Sequence, residues 1–395
     1  PPPPLAGCGG STFDDTGGAA PAPGVPPDAS PTPQRLDVRL GASGPAETAA
    51  VAAAAAAWGA ASGTEVVVTA GADGARPADV VTVRSDDLAA AVAAGSLTAY
   101  AQDLPNADDF QPHLRAAFTL DGTFWCAPKD FSTLALVVDQ AAWTAAGLTD
   151  ADVPTTWEAL ATVAGRLTTE GRTGLVTSSE YRRLGAFVAQ AGGSLVDADG
   201  RADADSAEDL QALTYVQSLL AAGSMRFAAD VGARDGAEAL ATGRAAMTVE
   251  SLGAVQALAT SSPGLAVRVL ELPAGPGGRG TLSFTSCWGI SADSPERDRA
   301  KALVAALTAT DQQLLFSEAT GAVPSVTSAA DGFRERFPER AAFLAGADRA
   351  TTLPNLPGVA GVVDRLDAQL AGLATADAAA VLARTQAELD AALDG

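Results

Sequence analysis

The chain has 395 residues, with 47 Asp and Glu against 25 Lys and Arg, for a net charge of −22. The length allows more than one hydrophobic core, and the charge argues against nucleic acid or an anionic membrane as the main partner. A single histidine, His113, and three cysteines argue against a histidine-rich metal site, a cysteine-rich zinc site and a histidine-based triad. No metal and no cofactor is expected.

The first element is not a folded one. Leu5-Ala6-Gly7-Cys8 resembles the lipobox of bacterial lipoproteins, which implies that Cys8 is the site of lipid attachment. Residues 9–35 are rich in Gly, Ser, Pro and Asp without apolar periodicity, so 1–35 reads as a lipobox-like start and a flexible tether. A first strand is predicted within 34–44, running into a Gly/Ser loop that contains Ser43. The alanine-rich run 46–61 then predicts a helix stopped by Gly63, since alanine favours helix but gains little from lipid. Strands follow in 63–71 and 78–87, the latter ending in Arg84, Ser85 and Asp86, and a short helix stops at Gly95. This alternation predicts a mostly parallel, doubly wound α/β sheet, with ligands outside the carboxyl ends of the strands.

The segment "DGTFWCAPKDFSTLALVVD", 121–139, is the most strand-like of the chain. Leu134 to Val138 form an apolar run suited to a strand covered on both faces, yet Lys129, Asp130, Phe131, Ser132 and Thr133 stand at its mouth. A packed core tolerates such charges only when they are paired or reach water. A capped helix is predicted from Thr156, a strand in 171–178, and a helix with a Gly-Gly stop and a polar hairpin in 180–206. Helices near 206–222 and 234–243 precede a strand turning into a helix in 243–255, and then a strand and a flexible loop in 265–280. Residues 281–308 read as a strand holding Cys287 and Trp288 followed by an amphipathic helix, and the remainder is largely helical.

Several segments in order resemble the carbohydrate-binding proteins of bacterial ABC importers, the maltose-binding-protein-like group of extracellular solute-binding proteins. They are "DGTFWCAPKDFSTLALVVDQAAWTAAGL" followed by "VPTTWEAL", then "ATGRAAMTVESLGAV", "SCWGISADSPERDRAKALVAAL", "GAVPS" and "LPNLPG". The resemblance covers roughly 35–395. It implies two doubly wound α/β lobes of the periplasmic-binding-protein type II kind, the first from 36–130 and 285–330, the second from 135–283 and 335–395. The ligand lies between the lobes, so the charges at 129–133 would face the cleft.

The resemblance implies an extracellular, lipid-anchored, monomeric binding protein, not an enzyme, that delivers a small sugar to membrane permease subunits. Sugar recognition needs groups that take paired hydroxyls and rings that cover C–H faces. On that basis Ser43, Asp86, Lys129, Asp130, Phe131, Ser132, Tyr181, Glu250 and Trp288 are the expected ligand-binding residues. Many relatives carry an aromatic residue after the Met segment. Here Ser251, Leu252 and Gly253 stand there, which favours a small ligand over a long oligosaccharide. In the resemblance Cys126 and Cys287 both precede lobe crossings, and a disulfide between them is expected, with two buried thiols as the alternative. A non-sugar polar solute such as a peptide or polyamine, and a secreted glycoside hydrolase, are the rival functions.

Overall fold

The computed structural model describes residues 34–41, 43–71 and 77–393. Cys8, the expected site of lipid attachment, and the tether up to residue 33 lie outside the described residues, while residues 34 and 35, expected in the tether, already belong to the first strand.

Strand β1, Gln34–Leu40, alternates in burial, with Leu36, Val38 and Leu40 pointing into the core. Helix α1, Pro45–Ser62, opens with Pro at its first turn and closes on Gly63, whose φ of 71° is the left-handed conformation that ends helices. Its Gly59 lies so close to the next strand that a Cβ would stand 2.5 Å from the Thr64 carbonyl oxygen. Strands β2, Thr64–Ala70, and β3, Val80–Arg84, flank β1 in parallel.

Two long strands tie the molecule together. Ala127–Asp139 and Thr281–Ser291 pair antiparallel from Ser283 opposite Thr133 to Trp288 opposite Ala127, with a register shift between Ser286 and Cys287. The second of them also pairs with β3 in the first lobe. Beyond Thr133 the first continues alone into the second lobe, where it pairs with Ala245–Ser251 on one edge and Val267–Leu270 on the other. Parallel strands Thr173–Thr177 and Met225–Phe227 complete that sheet. Hydrogen bonding is therefore continuous across the molecule, but the packing is not.

One core gathers Leu36, Val38, Phe110, Phe131, Trp288 and Leu303, and another gathers Leu136, Trp143, Trp157, Phe187, Met247 and Leu366. The far face of the second sheet has a smaller cluster around Val137, Val176 and Leu240. This is the two-lobed α/β arrangement that the family resemblance implies. Phe343, Leu344 and Ala347, assigned by sequence to the second lobe, pack in the first core. Helices Val359–Leu370 and Ala378–Leu393 close the second.

Cys126 and Cys287 are joined by a disulfide, with Cα atoms 5.7 Å apart and a sequence separation of 161. Both are buried in the first lobe beside the crossing. Among the described residues no helix is long and apolar enough to cross a membrane.

Candidate functional site

The two crossing strands form the floor of a cleft of about 280 Å³. Its charged lining comes from four places: α1, the end of β3 with the turn after it, the crossing strand Ala127–Asp139 itself, and the first turn of helix Tyr181–Ala191 in the second lobe. Lys129, whose side chain is 6% exposed, places its Nζ 2.6 Å from Glu47 Oε1 and also bonds the Asp130 carboxylate. Its ammonium lies 5.8 Å from the centroid of the Trp288 ring. Burial works against the lysine charge, but Asp130 and Glu47 outweigh it and hold the pKa above the ordinary lysine value. Glu47 sits in the first turn of α1, where the helix dipole favours an anion.

The second charge cluster spans the lobes. Asp86 accepts from the Arg84 guanidinium and from Arg182 Nη2 at 2.5 Å, so one carboxylate ties β3 to the second-lobe helix. Burial opposes its charge, yet the two guanidiniums hold its pKa below the usual carboxylate range. Arg182 in turn lies 5.8 Å over the Phe284 ring. Hydroxyls of Ser85, Ser283 and Ser286 fill the gaps. The lining thus holds Glu47, Asp86 and Asp130 against Arg84, Lys129 and Arg182, and its charges cancel.

The structure places the expected residues unevenly. Lys129, Asp130 and Asp86 line this cleft. Ser132 lies on the same strand but turns its Oγ to accept the Leu252 N–H at 2.9 Å, holding the start of the helix Leu252–Ser261. Ser43 lies beside the start of α1, with its Oγ 3.1 Å from the Thr48 hydroxyl. Phe131 and Trp288, expected at the cleft, are instead core residues at 1% and 0% exposure. Alternation along the strand explains Phe131: Asp130 and Ser132 face outward, so the residue between them faces in. Trp288 follows the register shift and ends beneath Lys129. Phe284, in the outward phase of Thr281–Ser291, is the aromatic ring that reaches the cleft.

Tyr181 is buried at the wall of a second hollow of about 540 Å³, together with His113, Ser194 and Asn355. The two hollows share Leu353, and His113 Nε2 stands 3.4 Å from the Ser283 hydroxyl of the cleft. Burial pushes the His113 pKa down to about 4, so its imidazole is neutral near pH 7. Glu250 is buried behind the cleft, paired with Arg183 Nη2 at 2.8 Å and Nε at 3.0 Å. Burial raises its pKa and Arg183 opposes the rise. Sequence reading placed Arg84 with Asp86 at a strand end facing the cleft, but missed Glu47, hidden in the alanine helix, and Arg182. The pattern of strand phase could have found Phe284, whereas no local signal marks partners that meet only across the lobes.

A profile of the bacterial extracellular solute-binding protein family matches residues 59–344. No curated protein sequence matches the chain. The fold is similar to the GacH receptor of Streptomyces glaucescens, solved unliganded and with acarbose, at 21% identity over 91% of this chain and 99% of that one, with a TM-score of 0.78. It is also similar to the cyclic α-maltosyl-1,6-maltose binding protein of Arthrobacter globiformis, at 18% identity, 92% and 100% coverage and a TM-score of 0.80. UgpB of Mycobacterium tuberculosis, in complex with glycerophosphocholine, gives 22% identity, 90% and 98% coverage and a TM-score of 0.76. With a family match over most of its length and lobes joined by paired crossing strands, the chain belongs to the bacterial extracellular solute-binding protein family.

Proposed function

We propose that the protein is the solute-binding component of an ABC importer, capturing a small carbohydrate or polyol between its lobes and passing it to membrane permease subunits. The observation that carries this reading is the charge-balanced cleft lined from both lobes. Its carboxylates accept and its guanidiniums donate, so a neutral ligand with many hydroxyls can replace water without disturbing the ion pairs. A ligand with net charge would have to break a pair or be held uncompensated, which is costly at a partly buried site. Phe284 offers a face for the C–H side of a sugar ring.

The cleft volume of about 280 Å³ lies just below the roughly 300–1,000 Å³ of drug-sized sites, which favours a small solute. Contacts from both lobes stabilise the closed form, so binding closes the cleft. Among relatives of this fold, GacH binds acarbose, and a saccharide ligand here accords with that. A zwitterionic polar solute is the second reading, favoured by the exposed edges of the Lys129–Asp130 pair and by the glycerophosphocholine bound to UgpB. The chain acts as a binding protein without turnover, monomeric, and held at the outer face of the membrane through lipid on Cys8.

A thermal-shift scan of mono- and disaccharides, polyols and zwitterions on the purified protein tests the reading. A cognate ligand at about 100 times its Kd stabilises by about 2.7 kcal/mol and is recovered unchanged. Consumption of the ligand would establish an enzyme instead. If no neutral saccharide or polyol raises Tm while a charged solute does, the sugar reading fails.

A further inference from the structure

Most described arginines in this chain sit against a carboxylate, as expected where acidic residues outnumber basic ones so heavily. Arg172, Arg226 and Arg244 do not. Among the described residues none of the three has a carboxylate oxygen within 4.0 Å, yet all three line one hollow of about 430 Å³ on the second lobe. The fold brings them together. Arg172 and Arg244 directly precede the adjacent parallel strands Thr173–Thr177 and Ala245–Ser251, and the Thr173 N–H donates to the Arg244 carbonyl at 2.8 Å. Arg226 sits in the middle of the edge strand Met225–Phe227.

The guanidiniums are incompletely used. Arg244 Nη1 donates to the Val231 and Gly232 carbonyls at 3.0 and 2.5 Å, which fixes the group while its other nitrogens have no partner among the described residues. The Arg172 Nε is buried with no hydrogen-bond partner. Asp230 also lines the hollow, so the lining carries a net of two positive charges. Two charges in one hollow, presented on planar forks, match a tetrahedral dianion better than a single carboxylate, because each guanidinium can hold two oxygens.

We propose that this hollow is a binding site for a phosphate group, separate from the cleft and independent of which solute the cleft takes. The phosphate is either free in solution or esterified in a lipid headgroup. Arg226 and Arg172 supply the replaceable charge, and Arg244, tied to the backbone, sets the position.

The test uses the full chain at low ionic strength, where exposed charges are least screened. Inorganic phosphate is titrated and followed by phosphorus NMR, and vesicles with and without phosphatidic acid are tested by cosedimentation. Arg226→Gln has no side-chain partner to lose among the described residues, so it tests charge without threatening the fold. It is expected to weaken binding about tenfold, the size of one charge-assisted contact. The double substitution of Arg172 and Arg226 by Gln is expected to abolish saturation, with the cleft ligand still bound by both variants. Saturable binding of inorganic phosphate lost in these variants supports a free source, and binding only to phosphatidic acid vesicles, lost in the same variants, supports a lipid source. If neither probe binds, or if the variants bind as the parent does, the proposal is overturned and the arginines serve only to keep the edge strand from pairing with another chain.

Discussion

Replacing Asp209 by Asn should change how stability depends on pH. Asp209 lies in the first turn of the helix Ala207–Ala221, is fully buried, and takes the Ser206 hydroxyl on Oδ2 while Oδ1 has no hydrogen-bond partner. Burial pushes its pKa from the ordinary 3.8 up to about 7. Between those values the folded protein keeps a proton that the unfolded chain has released. Stability is therefore fully present below about pH 4, falls as pH rises towards 7, and levels off above. At 1.36 kcal/mol per pKa unit the shift corresponds to about 4 kcal/mol, an upper bound because the helix N-terminus favours the anion, so roughly 2–4 kcal/mol is expected.

Asn keeps the shape and the hydroxyl contact but carries no charge. The Asp209→Asn variant should match the parent within about 1 kcal/mol at pH 4 and exceed it by roughly 2–4 kcal/mol at pH 8. Urea unfolding at both values, with midpoint and slope compared, measures this. Asp367, which burial also raises, to about 6, titrates in both proteins and largely cancels from the difference. If the parent–variant difference is the same at pH 4 and pH 8, the reasoning from burial is wrong.

Asp130→Ala should weaken the cleft ligand by roughly 1–3 kcal/mol, since it removes an acceptor and leaves the buried Lys129 with only Glu47; calorimetry with the identified ligand checks it, and unchanged affinity would remove Asp130 from the site. Arg182→Gln breaks the bridge to Asp86 across the lobes, worth about 1 kcal/mol for a partly exposed pair, and should shift the ligand-free protein towards a more open form. An unchanged radius of gyration in small-angle scattering would show that this pair does not hold the lobes. Replacing Cys126 and Cys287 together by Ser should cost up to about 5 kcal/mol in the chain-entropy model for a loop of 161 residues, and a loss below about 1 kcal/mol in denaturant unfolding would contradict it.

The strands and their order were legible because each carries its own local signal. The parallel set around β1, the Gly63 stop and the Thr156 cap, whose hydroxyl accepts the Ala159 N–H, all follow from residues adjacent in sequence. The charges at 129 and 130 stood out as misplaced in a buried strand, and the structure puts them in the cleft. What was not legible depends on phase and on distance. Phe131 and Phe284 differ in facing by one residue of strand register, which composition does not report. Glu47 meets Lys129 from 82 positions away, and Arg182 meets Asp86 from 96, so neither pairing leaves a local trace.

The placement of Thr281–Ser291 between β3 and Ala127–Asp139 has a consequence for how the chain is made. The first lobe begins at Gln34, yet its central strand is synthesised only after nearly all of the second lobe's strands, and its core also waits for Phe333 and Phe343. The amino-terminal lobe therefore cannot finish folding first as the chain emerges, which is the usual order for domains laid end to end. Until residue 291 has appeared, β3 and Ala127–Asp139 each keep an open edge on the side Thr281–Ser291 will occupy. Pairings this remote in sequence form slowly. A growing chain of this topology stays open longer than its α/β composition alone suggests, and that delay favours passage through an export channel before the lobes close.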